Sequence, residues 1–191
     1  MVEARGRNGY ARAGAWTRQQ QYSSESLTHK LPEDAIIKLA KRANTGNART
    51  AVHEFVHPLE YRTGTQAISR GILREMHRLG RSPKLPPEIR ARLQIKQLRK
   101  IQKNSGYGAD EMAMTEGGVQ GSSYTWKVYG DIENLGRGGS ELVTMLVEML
   151  YAEPIVMARE YPHLYELGVA FMRGGKIDVK AYAKKIVESM R

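Results

Sequence analysis

Over most of this chain the apolar residues recur at helical spacing, the pattern of helices with one buried side. LPEDAIIKLAKRAN, residues 31–44, sets Pro32, Glu33 and Asp34 in a first turn and Ile36, Leu39 and Ala40 on one side. That pattern predicts a helix, broken by Gly46 and Asn47. A second helix starts near Asn47 and runs through ARTAVHEFVHPLEYR. Val52, Phe55, Val56 and Leu59 fall on one side of it, and His53, His57 and Glu60 on the other. GTQAISRGILREMHRLG, 64–80, predicts a third helix, loosened at Gly71. The proline-rich SPKLPP, 82–87, is a rigid break, and EIRARLQIKQLRKIQKN, 88–104, predicts a fourth helix.

The periodicity then fails. Residues 104–123 are rich in Gly, Ser and Asn and read as a long loop. YTWKVYG, 124–130, is the one strong strand signal, with β-branched and aromatic side chains. NLGRGGS, 134–140, is a glycine turn ending in a capping serine, Ser140. Helices follow at 141–152, from Pro154, at 162–175 up to Gly174-Gly175, and at 177–190. The expected class is mainly α with a small β element (α+β). Residues 1–30 hold almost no aliphatic side chain and read as a flexible basic arm with Tyr10, Trp16 and Tyr22 as its bulky groups. Residues 31–191 then form a single domain, with a basic helical insert at about 66–123.

Composition narrows the chemistry. A 41% hydrophobic share over 191 residues is enough for a core, which excludes disorder throughout. The absence of cysteine removes disulfide scaffolds, thiolate metal ligands and thiol nucleophiles together. No apolar run approaches the roughly 18 residues of a membrane span, and the N-terminus is too polar for a secretory signal, so no membrane partner is expected. The net charge is +10. Residues 74–103 carry ten Lys or Arg against two Glu, so this one segment holds most of the surplus. Such a face draws phosphates or an acidic protein; its alternative is a solvated helix surface. With no helix-turn-helix, zinc-finger or RNP signature present, any nucleic-acid contact through 74–103 is expected to be independent of sequence.

The sharpest chemical feature is His53-Glu54-Phe55-Val56-His57. Two His four residues apart project from one helical face and can share a zinc ion. Glu54, one step round the helix, can reach a water on that ion and serve as general base. Chance gives such a motif about once in 100 chains of this composition, so its place on an amphipathic helix matters. A catalytic zinc takes three protein ligands and keeps a fourth position open. His77 lies in a strongly basic helix, His29 in the arm, and His163 at the start of a late helix. The better third ligand is Glu141, which opens a helix after a glycine turn, with Glu148 as a second candidate. The alternative for Glu141 is a charge that complements the helix dipole.

ARTAVHEFVHPLEY together with YTWKVYGDIENLGRGGSELVTMLVEMLYAEPIVMAREYPHLYELGVAFMRGG resembles the zinc-metallopeptidase domain of bacteriophage head-morphogenesis proteins. The likeness covers about 47–63 and 124–173. It implies a zincin-like helical domain with His53, His57 and Glu141 as Zn2+ ligands and Glu54 as base. It further implies that Tyr129, in preference to Tyr124, donates to a developing oxyanion. Water on the zinc would hydrolyse a peptide bond. Phage head or capsid proteins would be the partners, and the virion or the host bacterial cytoplasm during assembly the location. This chain has Val56 where that family has glycine. It also has Pro58 directly after the second His, where a kink against the carbonyl of Glu54 is expected. An inactive site is therefore the alternative: a structural virion protein that lines the capsid or contacts packaged DNA through its basic surface.

Overall fold

A computed structural model describes residues 2–5, 15–17, 37–40, 47–102, 107–116, 118–129 and 140–190. These are mostly helical, with a small antiparallel sheet, as the spacing of apolar residues predicts. Near the N-terminus β1 (Val2–Arg5), β2 (Ala15–Thr17) and β3 (Ile37–Ala40) pair, β3 running parallel to β1 and antiparallel to β2. Residues 37–40 are thus a strand, not part of the helix expected over 31–44. Ile37 and Leu39 alternate with Lys38 and Ala40, a period that suits a strand as well as a helix. Two stretches of the expected arm are strands as well, and its other residues lie outside those described.

The motif helix α1 (Asn47–Thr63) continues through Pro58, so the helix does not end at the proline. Gly64, at φ 71°, supplies the left-handed turn into α2 (Gln66–Gly80). That helix is unbroken at Gly71, against the loosening expected there: Gly71 lies where α8 passes, and a Cβ would sit 3.2 Å from Val179 Cγ1. Ile72, Leu73 and Met76 of α2 are fully buried.

The fourth helix expected over 88–104 is three elements: α3 (Pro87–Arg92), β4 (Ile95–Gln97) and α4 (Leu98–Ile101). The expected loop contains β5 (Glu111–Met114), and the two strands pair antiparallel, Ile95 opposite Met114 and Gln97 opposite Met112. Pairing with a distant segment overrides the local helical pattern. Two short 3-10 turns, Val119–Gly121 and Ser123–Trp126, precede β6 (Val128–Tyr129), which pairs with β5. The strand expected over 124–130 is therefore confined to its C-terminal end.

The helices α5 (Leu142–Ala152), α6 (Pro154–Glu160), α7 (Pro162–Met172) and α8 (Val179–Glu188) complete the fold. Pro154 and Pro162 open their helices where a missing N–H costs nothing. Asp178 caps α8, accepting from the N–H groups of Lys180 and Ala181 at 3.0 Å each. Gly168 allows α7 to lie close on α5, because a Cβ there would be 2.8 Å from Leu150 Cδ1. Leu142, Leu146 and Met149 of α5 join Leu167, Ile186 and the buried residues of α2 in one core. The expected insert is thus packed into the same interior as the rest of the domain. Against the other side of α5 lies α1, through Val56, Val143 and Val147.

Candidate metal centre

The orientation of α1 departs from its amphipathic pattern. Phe55 and Leu59, expected to face inward, are 56% and 42% exposed. The side chains turned inward are His53, Glu54, His57 and Glu60 together with Val56. A helix that buries four ionisable groups in preference to Phe and Leu is arranged for something other than packing, since unpaired buried charge is costly.

Their partners come from the start of α5. Ser140 forms a bridge with Val128 of β6, and the Glu141 N–H donates to the Lys127 carbonyl at 3.0 Å. These bonds tie the N-terminal end of α5 to β6 and aim the fully buried Glu141 side chain at α1. Its Oε2 lies 3.0 Å from His53 Nε2 and 3.3 Å from His57 Nε2. The ligand atoms of His53, His57 and Glu141 all fall within 4.8 Å of one another, so the three can hold a metal ion. The two rings meet edge to face with centroids 5.3 Å apart.

Each imidazole also has an acid behind it. His53 Nδ1 is 2.8 Å from Glu148 Oε2, and His57 Nδ1 is 3.9 Å from Glu60 Oε2. Glu148 is itself bonded by Arg49, and Ser69 donates to Glu60 Oε1 at 2.9 Å. A carboxylate on the outer nitrogen is the common support for a metal-ligating histidine, because it fixes the ring and leaves Nε2 for the ion. Glu148, the second candidate for third ligand, thus stands on the far side of His53.

On the other oxygen of Glu141 lies a second group of polar side chains. Tyr129 donates from its hydroxyl to Oε1 at 2.8 Å, and Lys127 Nζ donates to that same hydroxyl at 2.7 Å. Lys127 is 3% exposed and forms an ion pair with Glu111 Oε1 at 2.7 Å. It also lies over the rings of Tyr124 and Tyr129, 4.6 and 4.3 Å from their centroids. The Tyr129 proton expected at a substrate oxyanion is therefore directed at Glu141.

The electrostatics follow from burial opposed by pairing. Burial pulls the His53 pKa down, but hydrogen bonds to Glu141 and Glu148 outweigh it and raise it to about 10. Burial likewise opposes charge on His57, and Glu141 reverses the balance, raising its pKa. For Glu141 burial favours the neutral acid, yet the charges and hydrogen bonds of His57 and His53 hold its pKa well below the carboxylate range. Glu54 differs: burial dominates and raises its pKa, and its Oε2 has no hydrogen-bond partner. Burial also raises Glu60, to about 7.

The sequence-predicted residues His53, Glu54, His57 and Glu141 thus come together, and Tyr129 joins them through the carboxylate. Missed were Lys127, Glu111 and Arg49. A lysine between Trp126 and Val128 in a strand-like run is the only one of these with a signal in the sequence. Searches with this chain find no matching family model, curated protein or solved structure. Among the described residues no helix is long and apolar enough to cross a membrane.

Proposed function

We propose that this chain is a zinc-dependent, peptidase-like protein. The observation that carries the reading is the approach of both imidazole Nε2 atoms to one oxygen of Glu141, at 3.0 and 3.3 Å. In a tetrahedral site with arms of ~2.0–2.1 Å, neighbouring donors stand about 3.3–3.4 Å apart, close to both imidazole–carboxylate separations. Two imidazoles and one carboxylate are a donor set suited to zinc. The buried His57 Nε2, which makes no well-aligned hydrogen bond, fits a ligand role as well. When bound, zinc supplies a Lewis acid for the scissile carbonyl and acidifies water.

The chain's own residues supply the rest. Glu54 takes the proton of the attacking water on its free oxygen and delivers it to the leaving amine. Its raised pKa makes it a stronger base than an exposed carboxylate. Glu148 holds the His53 ring in orientation through Nδ1, and Glu60 stands near the outer edge of His57 at 3.9 Å, beyond hydrogen-bond reach. The stretches similar to head-morphogenesis metallopeptidases support a place in a phage or prophage head, in the virion or in the host cytoplasm during assembly. Head or capsid proteins are then the substrates and partners.

The test is metal analysis followed by incubation with head proteins. One zinc per chain and cleavage that is lost in Glu54→Gln support the reading. A chain that purifies and refolds without binding zinc overturns it.

A second reading, a structural virion protein without turnover, is favoured by the charged surface. Arg74, Arg81, Lys84, Lys96, Arg99 and Lys100 are all exposed on the α2–α4 region. Such a face suits packaged DNA, and binding through it must weaken steeply with salt. Zinc without proteolysis, combined with salt-sensitive DNA binding, selects this reading.

A further inference from the structure

The two oxygens of Glu141 have different surroundings. Oε2 faces both imidazoles and lies 3.2 Å from Thr144 Oγ1. Oε1 faces away from the rings, accepting from Tyr129 at 2.8 Å, with Lys127 Nζ 3.7 Å off. Lys127 donates to the Tyr129 oxygen, and Tyr129 donates its own proton onward, so the two bonds run in one direction and strengthen each other. The anchor of this chain is firm: Lys127 is buried and paired with Glu111 on the strand next to its own segment.

A carboxylate with both oxygens free can bind a cation through one oxygen or through two. We infer that Lys127 and Tyr129 are positioning residues that restrict Glu141 to binding a metal through Oε2 alone. Resting on the metal centre proposed above, the inference adds what sets its coordination number. With Oε1 held back, the protein offers three donors and the ion has room for one further small ligand in a tetrahedral arrangement. With Oε1 released, the carboxylate can swing to contribute both oxygens, filling the position a reactant needs. Neutralising Lys127 would loosen the same restraint, since the donor behind Tyr129 strengthens its bond to Oε1.

Cobalt(II) tests this, since four-coordinate tetrahedral cobalt absorbs visible light far more strongly than five- or six-coordinate cobalt. The full chain is loaded with Co2+, and cobalt content is measured beside the spectrum for the unaltered protein, Tyr129→Phe and Lys127→Met. Expected are one cobalt per chain in all three, an intense tetrahedral spectrum in the unaltered chain, and a severalfold loss of that intensity in both variants. Tyr129→Phe keeps the ring and its packing, so it serves if the buried lysine variant folds poorly. Cobalt bound by all three with the same intense spectrum overturns this inference and leaves the metal centre standing. A folded, unaltered chain that takes up no cobalt or zinc overturns the centre itself.

Discussion

Glu148 Oε2 lies 2.8 Å from His53 Nδ1, on the opposite edge of the ring from Glu141. The imidazole is therefore held between two carboxylates from the same helix region, one towards the metal position and one behind it. Substituting Glu148→Gln retains the shape and removes the charge. Zinc affinity should fall about 10–100-fold, the usual effect of losing such a partner, measured by competition with a chelator. An unchanged affinity would show that Glu148 serves only Arg49.

Ligand loss should be more severe. His53→Ala or Glu141→Ala removes one of the three proposed donors, and stoichiometric zinc should disappear from the purified protein. By contrast Glu54→Gln should retain one zinc per chain, because Glu54 is proposed as the base and lies outside the His53–His57–Glu141 group.

Zinc uptake should release protons. In the metal-free chain His53, its pKa raised to about 10, is protonated at neutrality, and the pKa of His57 is raised in the same direction by Glu141. An ion must displace the proton on His53, so calorimetric heats should vary with the ionisation enthalpy of the buffer, and affinity should rise with pH. Equal heats in buffers of different ionisation enthalpy would refute this protonation state.

The stability of the metal-free protein should have an acidic optimum. His53 is raised from 6.5 to about 10, so its contribution is complete below 6.5 and lost as pH climbs towards 10. Glu60 is raised from 4.5 to about 7, so its contribution too declines as pH rises across that interval. Glu141 and Glu148 are lowered, and theirs is lost as pH falls below the ordinary carboxylate value of 4.5. Denaturant midpoints should therefore be highest at mildly acidic pH and decline through neutrality, with added zinc reversing the decline.

Packing between α5 and α7 should be strained by a side chain at Gly168. In Gly168→Val the new Cβ would meet Leu150 Cδ1 at 2.8 Å and Leu146 Cβ at 3.4 Å. Overpacking of this kind costs about 1–3 kcal/mol, visible as a lower thermal midpoint.

The sequence makes most helices and the His53–His57 pair legible for the same reason: both depend on spacing within one segment, whereas Glu141 is marked only by its place at a helix start after a glycine turn. The His53–His57 interval is a property of a single helix, and Pro154, Pro162 and Asp178 mark helix starts locally. What depends on remote contact was not legible. β4 and β5 exist because residues 95–97 find residues 112–114, and the first of these stretches is helical in pattern. The inward turn of α1 was hidden too, since Phe55 and Leu59 are outranked by a polar cluster whose partners lie on α5. Lys127 is marked in the sequence only by its place in a strand-like run, and its pairing with Glu111 and Tyr129 beside Glu141 is visible only in the fold.

The halves of the centre are far apart along the chain: His53 and Glu141 are separated by 88 positions. During synthesis, α1 leaves the ribosome long before its acidic counterpart exists. With no partner for its two rings, the segment must remain wet while the intervening elements emerge. Final docking of α1 is thereby postponed until translation has passed Glu148, and the order of ligands in the polypeptide dictates a late step of assembly.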